Sequence, residues 1–253
     1  MRLDLYLVEN KYFESRSKAS DAIKKGAIKV DSKIVTKSSF EVSEGSKVLV
    51  EFETAKYVSR GGYKLEGAIN AFDVDFKDKI ILDIGSSTGG FTDCALQAGA
   101  RLVYSVDVGT NQMHPSLRMD PRVKLFENTN ILDFNSDTSF DYLVMDVSFV
   151  SIKHVIPGII KFITDNNSLI CLIKPQFEAG KMINKGVIKD KSLHNRILED
   201  VSKYLNENGL YINKISPSPI KGGSGNIEFI SQISRRMTLI NNFRAVVDEA
   251  YRR

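Results

Sequence analysis

The stretch ILDIGSSTGGFTD, residues 81–93, has the residue types of a small-molecule loop. An apolar run ends in Asp83, and a turn with glycines at 85, 89 and 90 leads into a helix-like segment. Gly85 and Gly90 have the GxxxxG spacing of a phosphate-gripping loop, but Phe91 stands where that loop carries its lysine. No GxGxxG can be drawn through the segment either, and no hydride-acceptor site accompanies it, which argues against NAD. Glycines let a ligand approach the backbone closely, and here they do so without concentrated positive charge. That suits S-adenosylmethionine, a nucleoside with a zwitterionic tail, held by Asp83, Gly85, Ser87, Thr88, Gly89, Gly90 and Phe91. Asp107, with Val108 after it, ends a second apolar run where an acid can grip both ribose hydroxyls. Asn128, Thr129 and Asn130 end a third, with polar groups sized to reach an adenine edge or its ribose.

Two further runs deliver VMDVSF, with Asp146, and LIKPQFE, with Lys174. Asp146 borders the cofactor loop as well. The methyl acceptor can be narrowed. An exocyclic-amine methylase needs an (N/D)PP(Y/F) turn where this chain reads Asp146-Val147-Ser148-Phe149. A cytosine C5 methylase needs a cysteine beside the strand ends, whereas Cys94 falls in a helix and Cys171 in mid-strand. What remains is two lysines and two carboxylates: Lys64 in SRGGYKL, Asp146, Lys174, and Glu228 in GGSGNIEF.

The elements that must position them alternate. Strands are expected at 80–84, 102–108, 123–127, 141–146, 168–174, 210–215 and 227–233, with helices near 91–98, 152–164 and 192–207. A helix with Leu65, Ala68, Ile69 and Phe72 at helical spacing carries Lys64 on its first turn, and a charged helix over 238–251 ends the chain. This pattern predicts an α/β fold, a mostly parallel doubly wound seven-stranded sheet of the Rossmann-like class. The last two strands have no helix between them and should form a hairpin with one strand antiparallel. The 253 residues are 42% hydrophobic and 26% charged, ordinary for a globular chain, and no apolar run reaches bilayer length. The opening residues lack a signal peptide's apolar core, and the two cysteines have no disulfide or zinc spacing. A cytoplasmic protein without a metal is expected.

Residues 1–60 hold 12 Lys/Arg against 9 Asp/Glu, most of the chain's net charge of +4. A helix capped by Ser15 stops at Gly26; short strands Ala27–Val30 and Lys33–Val35 follow around an Asp31-Ser32 turn, then a strand over Lys47–Phe52. Arg2-Leu3-Asp4, Ser15-Arg16, Ala19, Ile23, Gly26, Ile28 and Val30 resemble the S4 RNA-binding domain. The resemblance implies RNA contacts at Arg2, Arg16, Lys18, Lys24, Lys25 and Lys37, with Arg60 beyond a polar linker at 53–58. The expected division is an S4-like domain at 1–56 and a catalytic domain at 59–253.

SRGGYKL, DIGSSTGGFTD, VMDVSF, KPQFE and SGNIEF, with an S4 domain in front, together resemble the TlyA family of FtsJ-like methyltransferases. Gly62-Tyr63 departs from the Ala-His often seen before the lysine. The resemblance implies a class I methyltransferase fold and a K-D-K-E tetrad of Lys64, Asp146, Lys174 and Glu228. It implies S-adenosylmethionine as cofactor and 2′-O-methylation of cytidine in ribosomal RNA. The start of the chain, directly at the S4 helix, fits the shorter type, associated with 23S RNA of the 50S subunit rather than with 16S RNA as well. A ribose hydroxyl must lose its proton as it attacks the sulfonium methyl. Lys174 is the expected acceptor, since like charge from Lys64 and burial favour a neutral amine, while Asp146 and Glu228 oppose this. Two other classes stay open: a membrane-active protein, from the haemolysin label of some relatives, and a non-catalytic assembly factor. The absence of a signal peptide or spanning segment argues against the first, though an amphipathic C-terminal helix could still bind a surface, and the tetrad argues against the second.

Overall fold

The structure, a computed structural model, describes residues 1–24, 26–50, 56–180, 186–238 and 241–253. The chain divides into two compact units, Met1–Lys56 and Tyr57–Arg253. In the first, helices α1 (Leu3–Glu9) and α2 (Arg16–Lys24) share a core with a three-stranded antiparallel sheet. Its order is β2 (Lys33–Ile34), β1 (Ile28–Val30), β3 (Val48–Val50). Ser15 starts α2, its side chain and carbonyl accepting the N–H groups of Lys18 and Ala19. Asp31 and Ser32 both take positive φ, 48° and 68°, the mirror-image turn whose twist suits a two-residue hairpin. Leu3, Leu7, Ala19, Ile23 and Ile28 are fully buried between the helices and the sheet. The expected third strand ends at Val50; its last two positions and residues 53–55 of the 53–58 linker lie outside the described residues.

The second unit begins with α3 (Gly61–Phe72), β4 (Ile80–Ile84), α4 (Gly90–Gln97), β5 (Leu102–Val106), α5 (Pro115–Arg118), β6 (Val123–Phe126) and β7 (Tyr142–Met145). Then come α6 (Ile152–Ile159), β8 (Ser168–Ile173), α7 (Pro175–Glu178), α8 (Lys191–Glu207), β9 (Tyr211–Pro217), β10 (Phe229–Ser234) and α9 (Phe243–Ala250). One sheet runs β6-β5-β4-β7-β8-β10-β9, with only β10 antiparallel to its neighbours. Chain order therefore reverses at β4, and a crevice opens beyond its carboxyl end.

Both faces of the sheet are covered, so the strands alternate between two apolar layers rather than between core and water. Ile81, Val103, Val144, Ile170 and Leu172 join α3 and α4 on one side; Leu82, Ile84, Leu143 and Leu169 join α6, α8 and α9 on the other. Each fully buried leucine or isoleucine contributes about 1.5–3 kcal/mol, which makes the sheet a rigid base for its edge loops.

The α-helix expected over 152–164 stops at Ile159 and tightens into a 3-10 turn, Ile160–Phe162. The final helix begins at Phe243, where Asn242 accepts the N–H of Ala245, rather than at 238; residues 239–240 lie outside the described set. Its apolar face is committed to the core, with Val247 and Ala250 buried, so it is not a face presented to a bilayer.

Candidate active site

β4 turns at Gly85 into a loop that ends at Gly89, whose φ of 92° would strain any other residue. A Cβ on the next residue, Gly90, would strike Ser59 Oγ and the backbone of Gly62. These glycines let α3 and α4 start against each other, which brings the Lys64 turn beside the loop. Ser86, Thr88, Gly90 and Phe91, with Ser59 opposite, line a cavity of about 150 Å³. A larger one, about 550 Å³, opens on its flank between Asp107, Val108 and Gln112 on one wall and Thr129, Asn130 and Leu132 on another. Asp107 is aimed by the backbone: Ser87 N donates to Oδ2 at 2.8 Å and Gly109 N to Oδ1 at 2.7 Å.

Gly85, Ser87, Thr88, Gly90, Phe91, Asp107, Val108, Thr129 and Asn130 thus border the two cavities, as does Asp146. Three expected cofactor contacts do not. Gly89 only turns the loop. Asn128, exposed with φ 49°, stays outside the lining. Asp83 is fully buried beneath the loop, its Oδ2 accepting Thr92 Oγ1 at 2.6 Å. Burial pushes the Asp83 carboxyl up to about 7, against the Thr92 hydrogen bond and with the charges of Asp146 and Asp107 behind it.

The chemistry of these walls bears on S-adenosylmethionine. Among the described residues neither cavity is lined by a lysine or arginine, while both contact Asp146 and the larger contacts Asp107. Such a field favours a sulfonium and an ammonium and disfavours a polyphosphate. Ser86 Oγ, on the smaller cavity, is buried with no hydrogen-bond partner among the described residues, as expected of a group that binds a polar tail. The residues fit the cofactor.

The four charged residues named from sequence meet beside this crevice. Lys64 Nζ donates to Glu228 Oε2 at 2.7 Å and lies 3.6 Å from Asp146 Oδ2. Lys174 Nζ lies 2.6 Å from Asp146 Oδ1 and donates to Ser148 Oγ at 2.7 Å. Gln176 Nε2 donates to Glu228 Oε1 at 3.2 Å. The charges alternate in sign along Glu228, Lys64, Asp146 and Lys174, which is how three of them tolerate burial to 8% exposure or less (Lys64, Lys174 and Glu228). The reversed strand explains the geometry. Phe229 at the start of β10 pairs with Ile173 at the end of β8, so Glu228 and Lys174 emerge on the same edge.

This cluster lines a third cavity of about 810 Å³, whose mouth carries Phe149 and Phe177 with ring centroids 5.3 Å apart. Asp146 and Ser148 line all three cavities, so the partition between the cofactor side and the tetrad side is a single loop. Ser148, Gln176 and Ser86 escaped the sequence reading. Their only signal was position, one or two residues from a charged or glycine strand-end residue.

In the first unit, Asp4 accepts from Arg2 Nε at 3.1 Å and from an Arg16 terminal nitrogen at 2.8 Å. These hydrogen bonds hold its carboxyl down at about 2. Both guanidinium side chains stay about half exposed, 44% and 56%. Lys18 pairs with Glu14, Lys24 and Lys37 are exposed, and Lys25 lies outside the described residues. Arg60, in the second unit, donates to the Lys221 carbonyl at 2.5 Å. Among the described residues no three His, Cys, Asp or Glu gather as metal ligands, and no helix is long and apolar enough to cross a membrane.

Residues 57–235 match the FtsJ-like methyltransferase family, and residues 1–48 match the S4 domain. Hemolysin A of Brachyspira hyodysenteriae is 42% identical over 91% of this chain and 98% of its own length. The 16S/23S rRNA (cytidine-2'-O)-methyltransferase TlyA of Mycobacterium tuberculosis is 35% identical over 90% of this chain and 87% of its own. A solved structure named as a hemolysin, from Streptococcus thermophilus, covers 100% of this chain and 96% of that one, with TM-score 0.77 and 35% identity. The chain belongs to the FtsJ-like methyltransferases, in the TlyA group that carries an S4 domain in front of the catalytic unit.

Proposed function

We propose that this protein transfers a methyl group from S-adenosylmethionine to the ribose 2′-hydroxyl of cytidine in ribosomal RNA. The observation that carries this reading is the alternating Glu228–Lys64–Asp146–Lys174 cluster, separated from a cofactor-shaped crevice by one loop. A cluster of that kind has no use in a protein that only binds RNA or disturbs a membrane. S-adenosylmethionine, when bound, supplies a methyl group activated by its positive sulfur.

The chain's residues do the rest. Asp107 holds the ribose hydroxyls of the cofactor, Thr129 and Asn130 its adenosine end, and the 85–91 loop with Ser86 its amino-acid tail. Lys174, steadied by Asp146 and Ser148, acts in its neutral form: having released its own proton to solvent, it takes the proton from the attacking hydroxyl as the new O–C bond forms and the S–C bond breaks. Lys64, fixed between Glu228 and Asp146, orients the site and balances its charge. Most of the acceleration comes from alignment of hydroxyl, methyl and sulfur. Arg2, Arg16, Lys18, Lys24, Lys25 and Lys37 of the first unit, and Arg60 of the second, meet RNA phosphates. The large-subunit RNA of the 50S particle is the favoured substrate, which puts the protein's work in the cytoplasm.

The test is transfer of radiolabelled methyl to 23S and 16S RNA transcripts and to isolated subunits, followed by mapping of the modified nucleotide. A 2′-O-methylated cytidine is the expected product. Lys174→Ala should lower single-turnover rate by about 10²–10⁴-fold with cofactor affinity nearly unchanged. Lys174→Arg should not restore it, because a guanidinium keeps its proton. A near-normal rate for the arginine variant would remove Lys174 from the proton-accepting role.

A further inference from the structure

The tetrad accounts for the lysine of KPQFE but leaves its glutamate unassigned. Glu178 closes α7, one turn beyond Lys174. Its Oε2 accepts a hydrogen bond from Ser151 Oγ at 2.5 Å, and its Oε1 accepts one from the Ile152 N–H at 2.9 Å. Ser151 is the N-cap of α6, its Oγ accepting the N–H of Lys153 at 3.2 Å, and Glu178 takes a second N–H of that first turn, so it fixes the helix start from a different loop. Placing a carboxylate there carries a cost: burial raises the Glu178 carboxyl above the ordinary glutamate range, against the pull of Ser151 and Ile152.

What the contact ties down is the segment between Asp146 and Ser151. That segment supplies Asp146, Ser148 and Phe149 to the tetrad cavity, and the same residues with Val147 and Val150 to the cofactor cavity. It is under backbone strain, since Phe149 takes φ of 65°. Its first end is held by the Asp146–Lys174 ion pair and by Asp146 N donating to Ile84 O at 3.3 Å. Its second end is held by Glu178. The strand-end loops after β7 and β8 are therefore joined twice, once at the reacting groups and once behind them.

We propose that Glu178 is a positioning residue for methyl transfer: through Ser151 and the Ile152 N–H it holds the 146–151 segment so that Asp146 and Ser148 keep Lys174 in line with the methyl donor. This rests on the methyltransferase reading above. A small misplacement of reacting groups is enough to slow such a reaction strongly, with no loss of binding contacts.

The experiment measures single-turnover methyl transfer to 23S RNA at saturating RNA and cofactor, with RNA affinity and the urea midpoint determined alongside. Glu178→Ala should lower the single-turnover rate about 10- to 100-fold and leave RNA affinity within about twofold. Glu178→Gln should stay within about threefold of wild type, since its amide can accept from Ile152 and meet the Ser151 hydroxyl. Combining Ser151→Ala with Glu178→Ala should slow the reaction by less than the product of the two single effects, because the two share one contact. A folded Glu178→Ala protein with the wild-type saturated rate, or one whose deficit vanishes at saturation, overturns the proposal. If that variant does not fold, Ser151→Ala decides alone: a slowed saturated rate supports the positioning role, and an unchanged one overturns it. An inactive wild-type protein would instead count against the methyltransferase reading itself.

Discussion

Replacing Lys64 by methionine separates what the tetrad does for stability from what it does for catalysis. The Lys64–Glu228 contact at 2.7 Å is worth about 6 kcal/mol of attraction at an effective dielectric near 20, and Lys64–Asp146 at 3.6 Å about 5 kcal/mol. Desolvation cancels much of this, so the net loss on removing the cation is better taken from broken buried pairs, about 3–5 kcal/mol. The loss falls mainly on Glu228, whose side chain is only 3% exposed and, among the described residues, keeps the Gln176 amide as its side-chain partner. Asp146 retains Lys174. Lys64→Met should therefore lower the urea midpoint by about 1–2 M. Adding Glu228→Gln, which removes the stranded charge, should recover most of that midpoint. Neither variant should regain activity, since both lack the orienting ammonium, and their rate losses should not add. Urea unfolding followed by circular dichroism, with single-turnover methyl transfer on the same preparations, reads both quantities. A single variant as stable as wild type, or a double variant as unstable as the single, would refute the assignment of Lys64 as the counter-charge to Glu228.

Three other outcomes follow from groups outside the tetrad. Asp107→Ala should weaken S-adenosylmethionine binding about 10- to 100-fold, the worth of a charge-assisted hydrogen bond or two, and titration calorimetry showing an unchanged affinity would place the ribose elsewhere. Asp83 has a folded-state value of about 7, above its ordinary one, so the stability linked to it is full below about pH 4 and is lost as pH rises to 7. The loss is about 2–4 kcal/mol, and Asp83→Asn should flatten it; parallel pH–stability curves for the two proteins would contradict the burial argument. Asp4 is shifted the other way, to about 2, so its contribution is present above about pH 4 and disappears as pH falls through 2. Asp4→Asn should cost about 1 kcal/mol at neutral pH, discounted because both guanidinium groups are half exposed, and should weaken RNA binding as Arg2 and Arg16 lose their shared anchor. RNA affinity equal to wild type across a salt series would show that those arginines act independently of Asp4.

The sheet was legible in its apolar runs, and Asp146 and Lys174 in the fact that each follows one, at strand ends that in such folds point toward ligands, while Lys64 was placed by the helical spacing around it. Glu228 was the harder member, since it precedes its strand; the missing helix between the last two strands was the clue to the reversal. Asp83 illustrates the opposite case. A strand-end acid reads the same whether it faces a ligand or the interior, but Asp83 shares alternation with Ile81, whose side faces α3 and α4. The alternation, taken one residue further, points Asp83 beneath the loop toward Thr92. Neutral partners such as Ser148 and Gln176 leave no mark of their own, because serine and glutamine are common in any loop. The short helices α5 and α7 span one turn each, too little for a period of 3.6 residues to register. The Arg2–Asp4–Arg16 arrangement joins residues on two helices, and only the packing of α1 against α2 reveals it.

The reversal of β10 returns the chain to the edge it has just left. The connection from β9 to β10 leaves and returns on the catalytic edge, and its two stems are clasped by Ser218 N donating to Glu228 O at 2.8 Å. Residues 219–227 are therefore a closed excursion, and the pairing of Phe229 with Ile173 sets the position of Glu228 from the sheet side. Lengthening an excursion of this kind costs little entropy and shifts no strand register. Gly223, Ser224 and Asn226 of this excursion line the tetrad cavity, and a side chain at Gly222 would strike Glu228 Oε1, so the segment shapes what reaches the edge while its glycine leaves room for the carboxylate that the sheet has placed.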